Sequence, residues 1–213
     1  STEILPFCRA RDVAFTGSLF KPLTRLFAFF DNVDVTQYIT PTPPFVNKYN
    51  QINGGVLSDA ATVVTVDSTS VFPTSGTIQI GNEKITYTDK TDTTFGTGSS
   101  AVVRGANGTT AVQHADDTKV YSLNMGDPLI TGATGKISGT FSIPNPNVSG
   151  NPAFKVGERI LRLTSDSANG VLNGDTQTSG EATYYAKGLL DNIQESIIAT
   201  RNADVNRVFV NQN

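Results

Sequence analysis

The most constraining stretch of the chain is residues 26–38, which read LFAFFDNVDVTQY. On an extended backbone Leu26, Ala28 and Phe30 point to one side, and Phe27 and Phe29 point to the other. An apolar load on both faces predicts a strand that is covered on both sides, either within the chain or in a tight subunit contact. The Asp-Asn pair that follows supplies turn residues, so a return strand is expected after it.

Residues 1–53 and 125–213 are interpreted as the two halves of one larger β domain. Strand-like alternation occurs at residues 4–15, 135–143, 154–164 and 182–190. Residues 191–201 fit a helix by the spacing of their isoleucines and a capping box, and they fit a strand because they continue directly from one. We favour the strand. The expected fold class is all-β, with an antiparallel, sandwich-like outer domain.

Residues 54–124 have a different texture and are interpreted as an inserted small β domain. Short strand-like runs recur at intervals of roughly ten residues, which is the spacing of a small barrel or sandwich. These runs are residues 62–66, 76–80, 84–88, 101–104 and 118–123. The insertion therefore interrupts the outer domain with a separate small barrel or sandwich.

The composition excludes several classes of protein. The formal net charge is −3, which argues against a nucleic-acid partner held by phosphate contacts. Cys8 is the only cysteine, so no intrachain disulfide is expected. No apolar run approaches the roughly 18 residues that a membrane span needs, and no secretory signal is visible. Because the chain opens without Met and stops in a strand-like stretch, we expect a processed chain or a segment of a longer one.

The residues that carry chemistry do not form a recognisable catalytic set. His114 is the only histidine, and with Asp116 and Asp117 it is expected in a solvated turn rather than in an oriented catalytic pair. Residues 130–137, ITGATGKI, fail as a phosphate-binding loop because two residues, not four, separate Gly132 from Gly135. We therefore predict no enzymatic activity, no catalytic residue, no cofactor and no metal site.

Several stretches resemble virion structural proteins of contractile-tailed phages, especially cyanophages. The opening ILPFCRARDVAFTG and LFAFFDNVDVTQY, followed downstream by GKISGTFSIPN, FKVGERILRLT and SGEATYYAKGLL, are similar to baseplate and tail-fibre components. The middle stretches TVVTVDSTSVFPTSGTIQIGNEKITYT and VVRGANGTTAVQHADDTKVY are similar to a small β module of phage tail proteins. One departure is Leu23, where similar proteins carry Asn, which we expect to loosen the turn and leave the strand pattern intact.

The resemblance implies a non-enzymatic structural component of a phage tail, at the baseplate or at a tail-fibre attachment region. It implies a chain made in the host cytoplasm and located in the virion, with other tail, baseplate or fibre proteins as partners. Threefold or sixfold homo-oligomers are what tails suggest, with no nucleic-acid partner and no membrane insertion. The alternative is a receptor- or carbohydrate-binding module of a tail fibre, whose partner would be a host surface glycan. A depolymerase is the third and least supported reading.

Each reading predicts its own contact residues. For the structural reading, Phe27, Phe29 and Phe30 are the predicted assembly interface, and Phe29→Asp is expected to block assembly or folding by burying an unpaired charge. For the carbohydrate-binding alternative, Tyr49, Tyr184 and Tyr185 are the predicted glycan contacts. The chain has no tryptophan, so tyrosine is the available stacking residue.

Overall fold

The structure is a computed structural model that describes residues 6–171, 176–186 and 195–201. It divides into two compact units, an outer unit of Ser1–Thr40 with Leu129–Asn213 and an inner unit of Pro41–Pro128. Within the described residues there are fifteen strands, and the only helical segment is the 3-10 turn Thr36–Tyr38. The fold is therefore all-β, as the sequence predicts.

The strands lie in three sheets. Those of the large sheet are β1 Arg11–Ser18, β2 Arg25–Phe30, β3 Val33–Asp34, β4 Ile39–Pro41, β11 Leu129–Ile130, β12 Ile137–Ile143, β13 Gly157–Thr164, β14 Thr178–Ala186 and β15 Glu195–Arg201. Those of the two smaller sheets are β5 Tyr49–Gln51, β6 Val64–Thr65, β7 Gly76–Ile80, β8 Glu83–Tyr87, β9 Thr94–Phe95 and β10 Lys119–Ser122.

The large sheet has the strand order β11-β2-β13-β14-β15-β1-β12-β4, with β3 paired to β2. The pairs β1–β12, β2–β13, β13–β14 and β14–β15 are antiparallel. In contrast, β15 runs parallel to β1, with Phe15 opposite Glu195. The strand that was favoured over a helix for residues 191–201 is thus present from Glu195, and it lies between β14 and β1. Residues 187–194 lie outside the described part of the chain.

The large sheet curves back on itself around an aromatic core. Phe30 on β2 makes edge contacts with Phe141 on β12 at 5.0 Å between ring centroids, and with Phe154 at 4.8 Å. Strands β2 and β12 are far apart in the sheet order, so their side chains meet only because the sheet folds over. This gives the predicted sandwich-like outer unit, which does not close into a barrel.

The β1–β2 connection contains two leucines with left-handed backbone angles. Leu19 has φ of 64° and Leu23 has φ of 52°. Residues with a Cβ rarely adopt this region of positive φ, and Gly and Asn adopt it with the least strain. The turn keeps its form because Leu23 N donates to Gly132 O at 3.4 Å and Thr24 N donates to the Thr131 hydroxyl at 2.8 Å.

The inner unit is a four-stranded sheet, β5-β10-β7-β8, together with the two-stranded sheet β6–β9. Phe95 on β9 is fully buried, 4.8 Å from the Phe72 ring and 4.8 Å from the Tyr87 ring between centroids. The core also contains buried Ile78, Ile80, Ile85 and Val120. Neither sheet is closed into a barrel, so of the two predicted forms the unit is the sandwich-like one.

Three details of the inner unit differ from the sequence prediction. The unit begins at Pro41 rather than at residue 54, because β5 pairs with β10, with Tyr49 opposite Tyr121. It ends at Pro128 rather than at 124, since Asp127 forms a salt bridge at 3.2 Å with Lys48 of the inner unit. Residues 101–104 form no strand; only Val103 bridges to Thr86. Strands this short contain too few alternating residues for the sequence to indicate where they begin and end.

Candidate functional site

The predicted assembly residues lie on β2, and two of the three belong to the core of the outer unit. Phe30 is fully buried among aromatic rings, and Phe29 is also buried although it points to the opposite face. The double-sided cover predicted for this strand therefore lies within the chain itself. Phe29 and Phe30 are unavailable to a neighbouring subunit for this reason, and Phe29→Asp is expected to fail in folding rather than in assembly.

Phe27 is the predicted interface residue that keeps part of its surface accessible. The guanidinium of Arg25 lies 4.9 Å from the centroid of its ring. A cation over an aromatic face contributes about 0.5–1 kcal/mol at an exposed position. An interface role for Phe27 stays a prediction.

The predicted glycan contacts divide in the same way. Tyr184 is buried, and its ring lies 5.9 Å from that of Phe30 between centroids, so it is a core residue rather than a sugar contact. Its neighbour Tyr185 points the other way and is 49% exposed. Tyr49 is also 49% exposed. Its ring lies next to that of Tyr121, with 5.8 Å between the ring centroids.

A buried charged cluster in the inner unit was missed by the sequence analysis. Glu83 begins β8 and is fully buried, because it shares the inward side of the strand with Ile85 and Tyr87. His114, which was expected in a solvated turn, is buried beside it with Nε2 2.7 Å from Glu83 Oε2. The alternation of β8 was the available signal, since an inward Ile85 implies an inward Glu83.

The Glu83 carboxylate is saturated with hydrogen bonds. Oε1 accepts from Arg104 Nε at 2.7 Å and from the backbone N–H of Gly105 at 3.0 Å. Oε2 accepts from Arg104 Nη2 at 3.0 Å and from the backbone N–H of Val112 at 3.2 Å, in addition to its contact with His114. Arg104 also donates from Nη1 to Ser58 O at 2.5 Å. The carboxylate thereby ties β8 to residues 104–105 and 112–114, and Arg104 adds a fourth segment at Ser58.

The electrostatics of the cluster follow from these contacts. Burial raises the pKa of Glu83, but hydrogen bonds from Arg104, from His114 and from two backbone N–H groups outweigh burial and lower the pKa from 4.5 to about 2. A carboxylate that stays ionised and accepts five hydrogen bonds is a poor proton acceptor and offers no lone pair for a metal. The arrangement acts as a structural cross-link rather than as an acid–base pair.

An open depression of about 450 Å³ lies beside the cluster, bordered by Gly81, Asn82, Thr109 and Thr110 with Glu83 and His114. Among its hydroxyls, that of Thr109 donates to Ala106 O at 2.7 Å and accepts from Lys84 N at 3.0 Å. Within residues 6–171, 176–186 and 195–201, no group of three or more His, Cys, Asp or Glu side chains is placed to hold a metal ion. No described helix is long and apolar enough to cross a membrane.

No family model matches the chain, and neither a curated protein nor a solved structure matches it significantly.

Proposed function

We propose that the protein is a non-enzymatic structural component of a contractile phage tail, at the baseplate or at a tail-fibre attachment region. One observation supports this most. The separate stretches that resemble phage tail proteins are hydrogen-bonded neighbours in one sheet, since β1 pairs with β12, β2 with β13, and β13 with β14. Stretches far apart in the sequence thus contribute to a single folded unit, which is what a shared tail domain requires.

The polar chemistry of the inner unit is consistent with a structural role. The only histidine of the chain is hydrogen-bonded to Glu83, whose two oxygens already accept from Arg104 and from backbone N–H groups. A depolymerase would need an acid and a base that can both reach a substrate. Glu83 and His114 are buried and hydrogen-bonded to each other, so neither is free to do so. A polysaccharide degradation assay on the purified chain tests this directly, and release of oligosaccharides would contradict the structural proposal.

The location is tested by immunogold labelling of the intact phage with an antibody against this chain. We expect gold at the baseplate or at the fibre roots. Particles opened by mild denaturation serve as the control for epitope access. Absence of label from intact and from opened particles would overturn the proposal.

The second candidate, a receptor- or carbohydrate-binding module, is favoured by a different observation. The rings of Tyr49 and Tyr121 lie together on the outward side of the inner-unit sheet, where Tyr49 is half exposed. Tyrosine supplies a large and rigid contact surface at a low cost in side-chain entropy. This candidate is compatible with the first, since one tail protein can hold its position and contact a host surface.

A further inference from the structure

The outward face of the four-stranded inner sheet presents an ordered row of side chains. One row crosses all four strands, because each of its residues lies opposite the next on the neighbouring strand. It consists of Tyr49 on β5, Tyr121 on β10, Gln79 on β7 and Lys84 on β8. The residues between them along the strands, such as Val120, Ile78 and Ile85, are buried in the core. Strand alternation therefore directs this row away from the core. Two residues further along β10 and β5, the opposite pair Lys119 and Gln51 points to the same side and extends the row. We call these six residues the tyrosine–lysine face.

The aromatic part of this face is arranged as a platform beside a cation. The ring centroids of Tyr49 and Tyr121 are 5.8 Å apart with an interplanar angle of 47°. Lys119 Nζ lies 5.0 Å from the centroid of Tyr49. A pyranose ring can pack its C–H groups against the aromatic faces that the cation leaves open, and the ammonium group over the Tyr49 ring can pair with an anionic substituent of the sugar.

The face carries more positive than negative charge, with two lysines against the one carboxylate of Asp117 at its margin. Its charged side chains are Lys84 and Lys119, and neither makes a salt bridge to an acid in the described part of the chain. The nearest carboxylate in the hydrogen-bond pattern is Asp117, at the margin, which accepts from Gln51 Nε2 at 3.0 Å. The chain as a whole has a net charge of −3, so a basic face is a local feature.

We propose that the tyrosine–lysine face binds an acidic glycan, a polysaccharide whose sugars carry carboxylate groups. The sugar rings stack on Tyr49 and Tyr121, and the carboxylates pair with Lys119 and Lys84. The side-chain oxygen of Gln79 accepts a hydrogen bond from a sugar hydroxyl. It is oriented for this because the side-chain nitrogen of Gln79 donates to Gly81 O at 2.9 Å. The face is built on paired strands, so little ordering is needed on binding. This inference rests on the second candidate function and gives it a ligand class.

The experiment is a binding titration of the full chain against two sets of polysaccharides. The acidic set is polygalacturonate, alginate, hyaluronan and polysialic acid, and the neutral set is dextran, amylose and a soluble β-glucan. We expect at least one acidic member to bind and the neutral set to bind at least roughly tenfold more weakly. Binding should also weaken as the salt concentration rises, because the paired charges are exposed.

Three variants locate the binding. Tyr49→Ala should weaken binding roughly tenfold or more. Lys119→Gln should reduce the affinity for the acidic polysaccharide to that for the neutral ones. Phe7→Ala is the matched control, because Phe7 is an exposed aromatic side chain of the outer unit and is not among the predicted glycan contacts. It should bind as the unchanged chain does. Thermal unfolding of each variant confirms that the fold is retained.

The outcomes separate the proposals. Equal binding of acidic and neutral chains, lost in Tyr49→Ala, would overturn the acidic preference and retain the carbohydrate-binding candidate. Binding to none of the polysaccharides, or an equal loss in Phe7→Ala, would overturn the assignment of this face. None of these results bears on the tail location, which the immunogold experiment decides separately.

Discussion

The two units of the chain are stabilised in different ways. The outer unit has long ladders, with eight residue pairs between β13 and β14, and a core of aromatic rings around Phe30. The inner unit has short ladders, with two pairs between β10 and β7, and it adds a buried carboxylate that ties its loops together. Where strands are too short to fix the intervening loops, polar cross-links take over part of that task.

The largest expected effect is on the aromatic core. Phe30→Ala should cost about 3–5 kcal/mol of unfolding free energy, because it removes a fully buried ring that contacts three others. Hydrogen exchange with mass spectrometry reads peptides of the two units separately. Protection should fall in the outer unit. The matched variant Phe95→Ala should lower it in the inner unit instead, and an equal loss in both units from either change would contradict separate cores.

Glu83→Gln tests the buried cross-link. We expect a loss of about 3 kcal/mol, because Arg104 and His114 are left buried around a neutral amide that cannot match both sets of donors. The control is Glu181→Gln in the outer unit, where a half-exposed carboxylate pairs with Arg162 at 3.0 Å. That change should cost less than about 1 kcal/mol. Similar losses in chemical denaturation of the two variants would refute a special role for Glu83.

The same cross-link predicts an acid-sensitive inner unit. The pKa of Glu83 is about 2 in the folded chain and near 4.5 when the side chain is free. A pKa depressed by folding stabilises the fold above the unfolded value, and this contribution is lost as the pH falls from about 4.5 to about 2. The loss is on the order of 3 kcal/mol. Hydrogen exchange across this range should show the decline in inner-unit peptides, and Glu83→Gln should abolish that part of it.

The smallest expected effect concerns the strained turn of the outer unit. Leu23 is 74% exposed and has φ of 52°. Leu23→Asn should stabilise the chain by up to about 1 kcal/mol, because Asn tolerates the left-handed region better. Leu23→Ala, which loses the exposed side chain but keeps the strained angle, is the control and should gain little. A melting temperature raised equally by both would mean that exposure, not backbone strain, is responsible.

The sequence predicted the longer strands of both units better than the short ones, since the run at 76–80 is β7 whereas the run at 101–104 forms no strand. The run around Phe30 is long enough to show an apolar residue on each face, and the structure buries Phe29 and Phe30, which lie on opposite faces. The same run left open whether the cover came from this chain or from a neighbour, since burial alone does not name the partner. The consecutive pair Tyr184 and Tyr185 shows a related limit, because which ring faces the core depends on a register that alternation alone leaves ambiguous.

The inner-unit cluster was beyond the sequence for another reason. Glu83 and His114 are separated by 31 residues, and Arg104 lies between them in a stretch with no regular strand. Neither spacing nor composition indicates that they meet. Tyr49 is a predicted glycan contact, but its neighbour Tyr121 is not, because the two meet only through the pairing of β5 and β10. Contacts made across short strands need the three-dimensional register.

The position of β15 between β14 and β1 has a consequence for biosynthesis. Without β15, the large sheet separates into one part containing β2, β13 and β14 and another containing β1, β12 and β4. The inner unit is continuous in sequence and is complete by Pro128, so it can fold while the ribosome is still translating the outer strands. A nascent chain stalled before β15 emerges should therefore show protease protection of the inner unit alone. The last described strand to be synthesised joins the two parts of the outer sheet, so a chain truncated before Glu195 would lack the strand that pairs with both β14 and β1.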